Sequence, residues 1–161
     1  MKDSIPVGLG EIKLSQDPED ILVAYGLGSC VGVGMADPQL HIAGLLHAVL
    51  PHNPNGNISS SPKYVNNGIE LLFNELISRG AHPARLIIRV AGGANMLNAP
   101  GFTQSFNIGS RNVEAAYATL QRLKLKITSQ EVGGTIGRTV RFYVRDGRMT
   151  IRTLGNQERE I

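Results

Sequence analysis

The dipeptide Asp146-Gly147 stands between two runs in which apolar and polar residues alternate, Arg138 to Arg145 and Arg148 to Leu154. Aspartate and glycine accept the backbone dihedrals of a tight turn, and alternating flanks suit a pleated surface with one buried face, so the segment predicts a β-hairpin. A two-residue turn here sets Val140, Phe142 and Val144 on one face with Met149 and Ile151. Arg141, Tyr143, Arg145, Arg148 and Arg152 then share the other. Such a hairpin cannot stand alone: its apolar face requires a further sheet or helix layer.

The rest of the chain supplies those layers. Residues 5–14 and 20–25 read as strands, rich in β-branched and large apolar side chains and bounded by Gly, Asp and Pro. Gly26 to Ser29 breaks the pattern, after which glycines alternate with valines from Cys30 to Met35. Asp37-Pro38 turns the chain, and His41 to Leu50 reads as the antiparallel return, which puts Cys30 and His47 on neighbouring strands. Pro51 to Pro62 is dense in turn formers and reads as a mobile surface loop that ends in a helix start. There Ser61 is expected to cap the free amides and Pro62 to take the first helical position, with Val65, Ile69, Leu72 and Leu76 inward as far as Gly80. Arg85 to Ala91 reads as a short strand, and the glycine-rich Gly92 to Gly101 as a second irregular loop. A second helix opens at Gly109 or Ser110, with Val113, Ala116, Leu120 and Leu123 as its buried stripe, and Lys126 to Val132 is a further strand. The expected fold is α+β: mixed, mostly antiparallel β-sheets with two principal packed helices, in one domain spanning residues 1–161.

Composition agrees with a folded domain, at 42% hydrophobic and 18% charged residues. No stretch approaches the roughly 18 apolar residues of a spanning helix, and the N-terminal segment lacks the apolar run of a signal peptide. The expectation is a cytoplasmic protein without membrane insertion. The net charge of +3 is uneven: residues 1–120 hold 7 Lys/Arg against 9 Asp/Glu, and residues 121–161 hold 9 against 4. The arginine face of the hairpin suits an acidic protein partner better than nucleic acid, because only Tyr143 is there to stack on bases.

Cys30 is the one cysteine, so neither an internal disulfide nor a multi-thiolate metal site is open to the chain. It is a packing residue or a reagent. The preceding Gly-Leu-Gly-Ser leaves its backbone open to close approach by a substrate. His47 sits in the apolar run Ala43 to Pro51, where an unpartnered imidazole costs about 1–3 kcal/mol. If the Asp37-Pro38 turn brings the two side chains together, a thiolate and an imidazolium stabilise each other and lower the thiol pKa. The residues alone leave open a small buried thiol and a satisfied core histidine. His41, His52 and His82 are scattered without ligand spacing, and the glycine pairs at 92–93 and 133–134 make no dinucleotide or P-loop fingerprint.

Taken in order, GLGSC at 26–30, GLLHAVLP at 44–51, Lys63-Tyr64, AGGANM at 91–96, NIGSRNVEA at 107–115 and VGG..GR at 132–138 resemble the CheD family of bacterial chemoreceptor glutamine deamidases. The resemblance implies Cys30 as nucleophile and His47 as base, acting on glutamines of cytoplasmic helices of methyl-accepting chemotaxis receptors. It also implies a CheC-type phosphatase as partner, no metal or organic cofactor, and an α/β sandwich similar to deamidating toxins. In the mechanism expected, the oxyanion is held by main-chain N–H groups of the Ser29-Cys30 turn, which Gly26 and Gly28 help to shape. Family members usually carry a threonine two residues before GLGSC, as a third catalytic group, where this chain has Ala24. A main-chain carbonyl near Ala24 is the expected substitute for orienting the imidazole, the Tyr25 hydroxyl being on the opposite strand face. The alternative is a binding module that has kept the fold, lost the catalysis and regulates the phosphatase through surface contacts.

Overall fold

The computed structural model describes residues 4–53, 61–96 and 107–161. The loops expected at 51–62 and 92–101 lie partly outside the described residues. In chain order the elements are β1 (Ser4–Pro6), β2 (Glu11–Ser15), β3 (Ile21–Leu27), β4 (Val31–Asp37), β5 (Ile42–Ala48), α1 (Val65–Ser78), a 3₁₀ turn (Pro83–Arg85), β6 (Ile87–Gly92), α2 (Ile108–Arg122), β7 (Ser129–Val132), β8 (Arg138–Tyr143), β9 (Met149–Thr153) and β10 (Arg159–Glu160). They form two five-stranded sheets among the described residues, in the orders β1-β3-β8-β9-β10 and β2-β5-β4-β6-β7. The pairs β1–β3 and β6–β7 are parallel and the others antiparallel, so the α+β expectation with mixed, mostly antiparallel sheets and two principal helices holds.

Two apolar layers result. Alternation along β4 and β5 sends Val31, Val33, Met35, Leu46 and Ala48 to one face, where they meet Ile69, Leu72 and Leu76 of α1 and Val113, Ala116 and Leu120 of α2. The opposite face brings Leu45 and Ala91 against Leu22, Leu27, Val140, Phe142, Met149 and Ile151 of the other sheet. Glycine sets the spacing of this inter-sheet layer at Gly34, where a Cβ would lie 2.8 Å from the ring of the fully buried Phe142.

Three expectations are corrected. The run 5–14 is two strands in different sheets: Val7 continues β1 by donating its N–H to the Val23 carbonyl at 2.8 Å, and Gly10, with a φ of +70°, turns the chain into β2. Helix α1 starts at Val65, not beside Pro62, and its N-cap Tyr64 makes no side-chain capping bond; the Ser61 hydroxyl accepts from the Lys63 N–H at 3.2 Å instead. The closing hairpin pairs Phe142 with Met149 and Val140 with Ile151, two positions from the register of a two-residue turn. Val144 is fully buried and donates its N–H to the Asp20 carbonyl at 3.2 Å, so it leaves the ladder and the connection spans four residues. An offset of two preserves each residue's face, which is why the buried and arginine faces were assigned correctly.

The arginine face is partly neutralised within the chain. Arg145 pairs with Glu19, Arg141 with Glu158 at 3.2 Å and Arg148 with Glu160 at 3.8 Å, while the Arg148 guanidinium lies 4.3 Å from the Tyr143 ring centre.

Gly34→Ala is expected to lower stability by about 1–3 kcal/mol, because the ring of Phe142 has no free space to retreat into. Chemical denaturation measures this, and adding Phe142→Leu should recover part of the loss.

Candidate active site

The antiparallel register of β4 and β5 sets His47 directly opposite Gly32 and Val31 opposite Ala48. Directly paired residues share a face, and Val31 and Ala48 face the helices, so His47 faces the inter-sheet layer. Cys30, two positions before Gly32, is on that face too and packs against the inter-sheet cluster. The thiol, one residue before β4, and the imidazole therefore lie on the same inter-sheet face at the end of the β4–β5 ladder.

His47 is only 3% exposed, yet its two nitrogens have different surroundings. Nδ1 lies 2.9 Å from the Val7 carbonyl oxygen. A carbonyl can only accept, so Nδ1 carries the proton and the neutral ring presents an unprotonated Nε2. Nε2 is buried with no hydrogen-bond partner among the described residues.

The expectation that the carbonyl near Ala24 orients the ring is corrected as to residue. The acceptor belongs to Val7, which the parallel β1–β3 pairing extends alongside Val23, while Ala24 is in register with Val140 in the β3–β8 ladder. Ala24 presents its methyl group to the inter-sheet layer, and Tyr25 is exposed as its position in the strand requires.

The turn before Cys30 is held from both sides. The Gly28 carbonyl accepts from the Ala94 N–H at 2.9 Å, and the Cys30 carbonyl from the Gly93 N–H at 2.8 Å. This approach needs glycine at position 92, where φ is +104° and a Cβ would lie 2.3 Å from the Cys30 oxygen. Between those two carbonyls, the Ser29 oxygen accepts from Nδ2 of the fully buried Asn112 at 2.8 Å.

Behind Gly92, the buried Arg138 donates to the carbonyls of Gly92 at 3.1 Å, Glu131 at 2.6 Å and Gly133. Burial pulls its guanidinium below the ordinary arginine value. Both Asn112 and Arg138 escaped sequence reasoning, although each left a signal: Asn112 falls on the helical stripe with Gly109 and Ala116, and Arg138 shares the parity of Val140 and Phe142.

Burial also raises the Cys30 thiol above its ordinary pKa, opposed by a hydrogen bond to the sulfur from the residue's own N–H. This is opposite in sign to the lowering expected from a standing thiolate–imidazolium pair. Burial is the larger cause, and among the described residues Nε2 makes no hydrogen bond that would offset it. Among the described residues, no group of three His, Cys, Asp or Glu is placed to hold a metal, and no helix is long and apolar enough to cross a membrane.

Two packed sheets backed by helices, with a lone thiol and a tautomer-fixed imidazole on one inter-sheet face, define an α+β protein with a candidate cysteine–histidine site. A family model described as CheD chemotactic sensory transduction matches residues 49–153. A protein of Symbiobacterium thermophilum named "Probable chemoreceptor glutamine deamidase CheD" is 41% identical over 157 residues, covering 96% of this chain and 95% of that one. Proteins of the same name from Caldanaerobacter subterraneus and Desulfitobacterium hafniense are 41% identical over 93% of both chains and 35% identical over 100% of both. The chain belongs to the CheD family.

Because the thiol is raised by burial and has no standing cation beside it, alkylation of Cys30 by iodoacetamide should rise with pH through a midpoint above that of free cysteine. His47→Ala should leave that midpoint in place. A midpoint near neutrality that His47→Ala abolishes would show a resident ion pair instead.

Proposed function

We propose that this protein hydrolyses the side-chain amides of specific glutamines on methyl-accepting chemotaxis receptors, with Cys30 as nucleophile and His47 as base in one domain spanning residues 1–161. The observation that carries this reading is the buried, unpartnered Nε2 of His47, fixed as an acceptor by Val7 and facing the same layer as the chain's one thiol. A buried acceptor left without a partner costs about 1–3 kcal/mol, which is rational where the nitrogen must receive a proton during a reaction. The names of the relatives supply the substrate class.

In this mechanism the thiol proton passes to Nε2 as Sγ attacks the glutamine δ-carbonyl, and the oxyanion takes hydrogen bonds from main-chain N–H groups of Ser29 and Cys30. Nε2 returns the proton to the departing nitrogen, releasing ammonia and leaving a thioester. Nε2 then takes a proton from water as it attacks the thioester, and the proton goes to the leaving sulfur as glutamate is freed. The thiolate forms at the moment of attack, which suits a thiol raised by burial.

Two features favour a second reading, in which the chain is a binding module for a CheC-type phosphatase: Ala24 in place of the usual threonine, and the raised thiol. Ala24→Thr separates them. A deamidase whose ring is held by Val7 gains almost nothing from the added hydroxyl, whereas a large rise from near zero identifies a chain that has lost its catalysis.

The deciding assay incubates the full chain with receptor cytoplasmic fragments and counts glutamine-to-glutamate conversions by mass spectrometry. Cys30→Ala should fall to background and His47→Ala should lose about 10²–10⁴-fold. Full activity in Cys30→Ala would refute the nucleophile.

A further inference from the structure

Asn112 projects from the inward face of α2 into the place where β4 and β5 part. The ladder between those strands ends at Val31 and Ala48, and beyond it the Val49 and Leu50 N–H groups both turn to the Lys63 carbonyl. The carbonyls of Ser29 and Val49 are left facing the gap. Nδ2 of Asn112 donates to both, at 2.8 and 2.9 Å, and these two acceptors fix which end of the side chain is the nitrogen. The side chain is fully buried and its Oδ1 has no partner among the described residues, so packing alone does not call for an amide here.

We propose that Asn112 is a positioning residue for the deamidation, holding the Ser29 carbonyl so that the Cys30 N–H points at the nucleophilic sulfur and at the oxyanion formed beside it. A trans peptide is planar, with its C=O and N–H directed oppositely, so fixing the Ser29 oxygen aims the Cys30 hydrogen. The flanking Gly28 and Cys30 carbonyls are fixed by the main-chain amides of Ala94 and Gly93. Of these three contacts on consecutive carbonyls, the central one alone is made by a side chain, and it controls the peptide nearest the chemistry. The same amide also ties that peptide to Val49, two residues beyond the base, so one side chain sets nucleophile and base relative to each other.

The inference rests on the deamidase reading, and its test distinguishes the two. In Asn112→Ala and Asn112→Asp, neither of which can donate to both carbonyls, the pH midpoint of Cys30 alkylation should move up. Deamidation kcat should fall about 100-fold, the scale of losing one oriented oxyanion donor, with KM within about twofold. A purely structural tie predicts a lower melting temperature with midpoint and kcat unchanged, and that result in folded variants overturns the proposal.

If neither variant folds, isotope-labelled natural protein decides. A through-hydrogen-bond coupling from Asn112 Nδ2 to the Ser29 carbonyl carbon, with a response of the Cys30 amide to thiol alkylation, supports the proposal; absence of either overturns it. Alkylation needs no substrate. Natural protein and Cys30→Ala equally inactive on receptor fragments would therefore defeat the deamidase reading, while the alkylation midpoint still decides whether Asn112 governs the thiol.

Discussion

The pairing of Gly32 with His47 across the β4–β5 ladder is the constraint on which the rest of the site depends. Side chains alternate along a strand, so a slip of one residue would turn His47 toward the helices and away from the face that Cys30 shares. The register is protected because both faces of these strands are buried: a slip would also exchange the residues that meet α1 and α2 for those that meet β3 and β8. Stability and site geometry thus rest on the same alternation.

Once the register is set, the surroundings differentiate the two groups. The β1–β3 pairing brings the Val7 carbonyl to Nδ1, which fixes a proton on that nitrogen and, among the described residues, leaves the buried Nε2 without a hydrogen-bond partner. Burial raises the thiol above its ordinary pKa. Behind the nucleophile, Gly92, Gly93 and the buried guanidinium of Arg138 form a hydrogen-bonded backing in which the guanidinium donates to main-chain carbonyls. A main-chain acceptor has one advantage over a side chain here: its position is fixed by the sheet and needs no rotamer to be ordered.

Much of this was legible from residue order. The helix stripes, the strands around Cys30 and His47 and the faces of the closing hairpin all follow from periodicity, which survives errors in exact boundaries and in register by two. What escaped depended on contacts between distant segments. Val7 to Gly10 reads as strand in isolation, and nothing local reveals that β1 and β2 enter different sheets, so the partner of His47 was sought beside Ala24 and not 17 positions earlier. Asn112 and Arg138 were visible as polar residues on apolar periodicities. Such residues mark buried hydrogen-bonding duties, but their acceptors are backbone carbonyls that the sequence does not distinguish.

The central claim is that the Val7 carbonyl keeps a proton on Nδ1 of His47, so that Nε2 is the nitrogen left to exchange a proton with Cys30. Nitrogen-15 NMR of the imidazole in the full chain tests it most directly. The expected result is a proton bound to Nδ1 and engaged with the Val7 carbonyl, with the Nε2 resonance moving when Cys30 is alkylated. A ring protonated on Nε2 alone, or one indifferent to alkylation, would contradict it.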